Sequence, residues 1–135
     1  MSVFFNSRFR DLSQLPEGES SDPSNHALLR PDCVLVDDDS LIHLMWKVAA
    51  SERGKDVLFF SSITELFAIT PALDRNTPIY VDANLGNGVR GEDVVAVLVQ
   101  TGFRSVFLAT GYTSEDLGAL PANVQVVGKE PPWKN

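Results

Sequence analysis

Cysteine occurs once, at Cys33, so no intrachain disulfide can brace this chain, and because it opens an apolar run the thiol is expected to be buried and inert. No apolar stretch approaches the roughly 18 residues that span a bilayer, and no basic region precedes a signal-like core. No direct membrane contact is therefore expected, and cytoplasm is the expected compartment. Basic residues are few: 11 Lys and Arg against 18 Asp and Glu give a formal charge of −7 with no basic cluster, which counts against a nucleic-acid-binding surface. The two histidines, His26 and His43, have no partner at metal-ligand spacing and no helical hairpin around them, so both read as solvated surface. The Gly-rich stretch GNGVRG, residues 86–91, lacks the Gly-Lys-Ser/Thr ending of a phosphate-binding loop and reads as a flexible turn. There is no repeat of fixed period.

What the chain does have is enough apolar residue, 44% of 135, for one globular core without staples. Residues 1–31 differ from the rest: PEGESSDPSNH has the composition of a linker, and ahead of it Phe5, Phe9 and Leu12 fall at the spacing of a short amphipathic helix. The expected organisation is an N-terminal extension over 1–31 and a single domain over 32–135.

From Cys33 onward, short β-rich runs alternate with helical periods. Ser40, together with Asp39 before it, is a candidate cap for a helix presenting Leu41, Leu44, Met45, Val48 and Ala49 as one apolar face and ending near Gly54. VLFF at 57–60 is the next strand, and Ser62 with Glu65 has capping-box spacing for a short helix carrying Ile63, Leu66 and Phe67, stopped by Pro71. After a strand over 79–81, a helix starts with Glu92 and Asp93, turns Val94, Val95 and Leu98 inward, and stops at Gly102. Val106 to Ala109 is a strand, Ser114, Glu115 and Asp116 start a brief helix, and Val124 to Val127 is the last strand. Continuous apolar runs alternating with helices predict an α/β fold, a flavodoxin-like, doubly wound, parallel five-stranded sheet of order 2-1-3-4-5.

Four of the runs end in reactive polar residues: VLV in Asp37 and Asp38, IYV in Asp82, VFLA in Thr110 and VQVVG in Lys129. In the predicted order these ends converge on the crevice where open α/β sheets bind ligands. Clustered carboxylates repel one another unless a cation intervenes, and Mg²⁺ suits them as a hard ion completed by water and phosphate oxygens. One carboxylate is then expected to attack phosphorus, with Lys129 neutralising the transferred group and Thr110 donating a hydrogen bond to it. The DDDS string also has a superficial likeness to the D-x-D loop of haloacid-dehalogenase-like phosphatases. There, however, Leu41 stands where a Thr or Val is required.

Taken together, VLVDDDSLI, IYVDANLG, FLATG and VVGK resemble the receiver domain of two-component response regulators, over residues 33 to 131. The resemblance implies that Asp82 is the phosphoacceptor, that Asp37 and Asp38 form the Mg²⁺-binding acidic pair, and that the Asn84 backbone carbonyl is a further metal ligand. It implies Thr110 as the switch hydroxyl, Lys129 as the ammonium on the phosphoryl group, and Gly111 as the small residue that keeps the acceptor accessible. Asn84 and Tyr112 flank the expected path of a hydrolytic water. Three departures accompany it: Val126 replaces an aromatic that often rotates with the Thr, Glu130 rather than proline follows Lys129, and KEPPWKN stands where the family continues into a fifth helix. The fifth helix is therefore expected to be missing or replaced.

The function so implied is a phosphorelay receiver, phosphorylated on Asp82 by a histidine kinase or histidine phosphotransfer domain and acting as a signalling switch. The C-terminal receiver of a hybrid sensor kinase is the preferred setting, and a homodimer is a further candidate assembly. The alternative is a pseudo-receiver that binds protein partners without being phosphorylated.

Overall fold

The computed structural model describes residues 28–111 and 120–133. In it a short loop from Leu28 leads into β1 (Cys33–Val36), followed by α1 (Ser40–Arg53), β2 (Val57–Phe60), α2 (Ile63–Ile69), a 3₁₀ turn (Thr70–Ala72), β3 (Ile79–Asp82), α3 (Gly91–Thr101), β4 (Val106–Ala109) and β5 (Val124–Val127). The strands form one all-parallel sheet of order β2-β1-β3-β4-β5, the expected doubly wound arrangement. The chain reverses direction across the sheet between β1 and β3, which pair as Val34 with Ile79, Leu35 with Tyr80 and Val36 with Val81. The helix expected from Ser114 lies outside the described residues, as do the amphipathic segment of Phe5, Phe9 and Leu12 and the residue Tyr112. No helix follows β5 among the described residues, and no described helix is long and apolar enough to cross a membrane. Although assigned by composition to the extension, Leu29 bridges to Leu73, its N–H donating to Ala72 and its carbonyl accepting from Asp74.

Side chains alternate across the sheet with the two-residue period of a strand, and both faces are covered. One face packs Val34, Val36, Val81 and Leu108 against Leu66 of α2 and Val94, Val95 and Leu98 of α3. The other packs Cys33, Leu35 and Tyr80 against Trp46 and Ala50 of α1. α2 begins with the expected capping box: Ser62 Oγ accepts from the Glu65 N–H at 3.3 Å, while Glu65 Oε1 reaches back to the Ser61 N–H at 2.9 Å. The 3₁₀ turn carries this segment past Pro71, where the sequence reading stopped it.

α1 is capped by Asp39, one of the two expected capping residues, whose carboxylate accepts from the Leu41 N–H at 2.9 Å, with Ser40 as the first helical residue. It departs from expectation in its buried face. Its buried row is Trp46 and Ala50, while Leu41, Leu44, Met45 and Val48 are 40–69% exposed. The helix is apolar on two sides, so periodicity alone cannot choose between them. Seating the large indole of Trp46 against Tyr80, with the small Ala50 one turn on allowing close approach to the sheet, decides the choice. The row read as inward is thus an apolar stripe on the surface.

Candidate functional site

Five strand-end residues meet as the topology requires. Asp37 follows β1, Asp82 closes β3, Thr110 follows β4, and Lys129 lies two residues beyond β5. Asp37, Asp82 and Thr110 are buried and Asp38 is exposed. Oxygens of Asp37, Asp38 and Asp82 all lie within 4.8 Å of one another, close enough to share a metal ion. They adjoin an open cleft of about 360 Å³ lined by Asp38, Asp39, Asp82, Asn84, Thr110, Gly111 and Lys129.

Each carboxylate is aimed by short-range hydrogen bonds. Asp37 Oδ1 accepts the Asp39 N–H at 2.8 Å, which ties the acidic pair to the cap of α1. Asp82 Oδ1 accepts the Asn84 N–H at 3.1 Å. The Lys129 ammonium stands between the two buried acids, 2.9 Å from Asp82 Oδ1 and 3.2 Å from Asp37 Oδ2. Burial pushes the Asp82 carboxyl above its ordinary range, and the neighbouring Asp37 charge adds to this, against the opposing pull of Lys129 and the Asn84 N–H. Burial works the other way on Lys129, yet its hydrogen bonds and charge contacts with Asp82 and Asp37 prevail and hold its pKa above that of a free lysine.

The loop after β3 shapes the remaining wall. GNGVRG forms a hydrogen-bonded turn: Leu85 N–H donates to the Val89 carbonyl, Val89 N–H to Gly86, and Gly91 N–H to Ala83. Gly86, Asn87 and Gly88 have φ of 78°, 52° and 78°, the left-handed region that favours glycine and tolerates asparagine. At Gly86 a β-carbon would lie 3.1 Å from Asp38 Oδ2, and at Gly91 it would lie 2.3 Å from the Asp82 carbonyl oxygen. Gly91 therefore lets α3 begin directly against the strand end that bears Asp82.

Of the residues singled out in the sequence, Asp37, Asp38, Asp82, Asn84, Thr110, Gly111 and Lys129 are brought together, while Tyr112 lies outside the described residues. Asn84 is exposed on the cleft, its side-chain oxygen accepting from the Gly86 N–H at 3.2 Å. Gly111 is exposed, with open space where a β-carbon would stand. Three neighbours escaped the sequence reading. His43, read as solvated, is half-buried, packs its ring 5.5 Å from that of Phe59 and places Nε2 2.5 Å from the Asp37 carbonyl oxygen. Trp46 donates its indole N–H to the Lys129 carbonyl at 2.8 Å. Gly91 had been absorbed into a loop motif. Only its position opening the helix, ahead of Glu92 and Asp93, hinted at a close approach.

The donor set consists of three carboxylates, which are hard oxygen ligands, with no thiolate and no imidazole nitrogen grouped with them among the described residues. That set fits a divalent cation of the Mg²⁺ or Ca²⁺ type better than a soft transition metal. A buried carboxylate beside a cation site and an ammonium can accept an electrophilic group and stabilise the charge that develops on it. Comparison of the chain with models of protein families, with curated proteins and with solved structures gives no match.

Proposed function

We propose that this chain is a receiver domain of a two-component phosphorelay, working in the cytoplasm, which accepts a phosphoryl group on Asp82 from the phosphohistidine of a histidine kinase or histidine phosphotransfer domain. The observation that carries the reading is the position of Asp82: buried at the carboxyl end of a central strand, 2.9 Å from the Lys129 ammonium, and within reach of a cation shared with Asp37 and Asp38. The motifs that resemble the receiver family supply these same residues.

Asp37, Asp38 and Asp82, with the Asn84 carbonyl, would hold Mg²⁺, and when bound the ion supplies positive charge that draws the acceptor carboxylate and the phosphoryl oxygens together. Asp82 Oδ1 is engaged by Lys129 and the Asn84 N–H, which directs Oδ2 to the phosphorus. An O–P bond forms as the P–N bond of the donor breaks, and the departing imidazole keeps the electron pair and takes up a proton. Lys129 then turns from carboxylate to phosphoryl oxygen, and Thr110 donates to another of those oxygens. The acyl phosphate adds up to about two negative charges, which Lys129, Thr110 and the bound ion would offset locally, so Gly111 shifts with Thr110.

The test is the intact mass of the chain after incubation with acetyl phosphate and Mg²⁺. One added phosphoryl group, lost in Asp82→Asn and absent with chelator, is the expected result. No mass gain under any of these conditions would favour the second reading, a receiver-like module that binds protein without phosphoryl chemistry. The exposed row Leu41, Leu44, Met45 and Val48 favours that alternative, because it offers apolar contact area whether or not Asp82 is modified.

A further inference from the structure

Trp46 is fully buried near the middle of α1. Its indole ring meets Tyr80 edge-on at 5.3 Å and Trp133 edge-on at 5.6 Å, and Tyr80 in turn stacks on Phe107 at 4.4 Å. The aromatic set packs on the sheet face beside α1, where no helix follows β5 among the described residues. Residues 128–133 turn back over it instead, with Pro131 buried. Lys129 lies in this turn, and its backbone carbonyl accepts the Trp46 indole N–H at 2.8 Å.

The contacts close a ring. Asp37 is tied to Asp39, the N-cap of α1, and α1 carries Trp46 to the Lys129 carbonyl. The Lys129 side chain then returns to Asp37 and Asp82. We infer that Trp46 is a positioning residue for the site: by holding the Lys129 backbone from α1, its indole N–H fixes where the lysine ammonium stands over Asp82. A lysine side chain has four rotatable bonds, so its head group stays within hydrogen-bond range of one carboxylate only if its backbone is held. The turn that carries Lys129 has no helical ladder of its own to supply that hold.

The effect on rate rests on the phosphoryl-transfer reading, whereas the geometry does not, and the test keeps them apart. In Trp46→Phe the ring still packs but the donor is gone. Its folding is checked by near-ultraviolet circular dichroism, and Trp133→Phe is the packing control, since the Trp133 indole N–H makes no hydrogen bond among the described residues. The first readout is acylation of Lys129 by an amine-reactive ester, mapped by peptide mass against Lys47 and Lys55. In the wild type Lys129 should react slowly, in Trp46→Phe about tenfold faster, the equivalent of one lost hydrogen bond, and in Trp133→Phe at the wild-type rate. The second readout is the initial rate of phosphoryl uptake from acetyl phosphate, expected to fall about tenfold in Trp46→Phe at saturating Mg²⁺ with Mg²⁺ affinity unchanged.

If the wild type takes up no phosphoryl group, the proposed function fails and the acylation result alone decides the role of Trp46. A folded Trp46→Phe protein whose Lys129 acylates at the wild-type rate overturns the inference. So does an equal rise in Trp133→Phe, which would make the effect one of packing. Should Trp46→Phe fail to fold, the benzothiophene analogue of tryptophan in a Trp133→Phe background replaces the N–H by sulfur at nearly constant shape, and the same acylation comparison decides.

Discussion

Replacing Lys129 by methionine tests the electrostatics of the site directly. The substitution keeps most of the aliphatic stem and removes the charge that stands 2.9 Å from Asp82 and 3.2 Å from Asp37. Both partners are buried, with side-chain exposures of 5% and 0%, and the lysine side chain is 28% exposed, so most of the pairing is sheltered from water. Removing one member of such a buried pair costs about 3–5 kcal/mol, and the partial exposure of Lys129 points to the lower end, roughly 3 kcal/mol. For a domain of this size that corresponds to a fall in Tm of about 10 °C at neutral pH. The sign with pH follows from Asp82. Its folded pKa is already raised by burial and by Asp37, so its charged form opposes folding once pH rises through the interval between the ordinary and the raised value. Without the lysine that interval widens, and the deficit should be greatest near pH 7.5 and shrink on acidification as Asp82 takes up a proton. Urea unfolding of both proteins at several pH values, followed by tryptophan fluorescence, measures it. A loss below about 1 kcal/mol, or one independent of pH, would refute the account of Lys129 as counter-ion to two buried acids.

Asp82→Asn should abolish phosphoryl uptake yet raise the unfolding midpoint once pH exceeds the ordinary carboxylate range, because it deletes a carboxylate whose charge burial disfavours; intact mass and thermal unfolding read the two effects. Gly91→Ala should destabilise by about 3 kcal/mol, since its methyl would lie 2.3 Å from the Asp82 carbonyl oxygen and 2.8 Å from Ala83 Cα, backbone positions that cannot yield without moving α3 off β3. Leu44→Gln should change urea stability by less than about 0.5 kcal/mol, whereas Leu98→Ala should cost about 3 kcal/mol, because Leu44 is half exposed and Leu98 fully buried. The Cys33 thiol, pushed up by burial and by the charges of Asp32 and Asp56, should ignore a disulfide reagent in the folded protein and react once urea unfolds it.

Strands and the carboxylate cluster were legible because each depends on a local pattern. Four-residue apolar runs ending in Asp, Thr or Gly-Lys mark both where a strand stops and what its end carries, and topology then brings those ends together. The inward face of α1 was not legible, because Leu41, Leu44, Met45 and Val48 make as good a stripe as Ile42, Trp46 and Ala50, and only the fit of Trp46 against Tyr80 separates them. Nor was the bond from Trp46 to the Lys129 carbonyl, which joins residues 83 apart in sequence through a backbone atom that no side-chain pattern reports. His43 escaped for a similar reason, since its partner is the carbonyl of Asp37 and not the carboxylate.

β5 is an edge strand: it pairs with β4 and with no other strand among the described residues, and it is the least buried of the five. An edge strand is the usual place for a sheet to fray and for a foreign strand to add. When β5 peels away, Lys129 leaves with it, and Asp37 and Asp82 are left facing each other without their cation. The acidic cluster thus acts through Lys129 as a clasp on β5, two strands away, giving the opening of that edge an electrostatic penalty. The same charges that suit the crevice to chemistry guard the sheet against pairing with its neighbours.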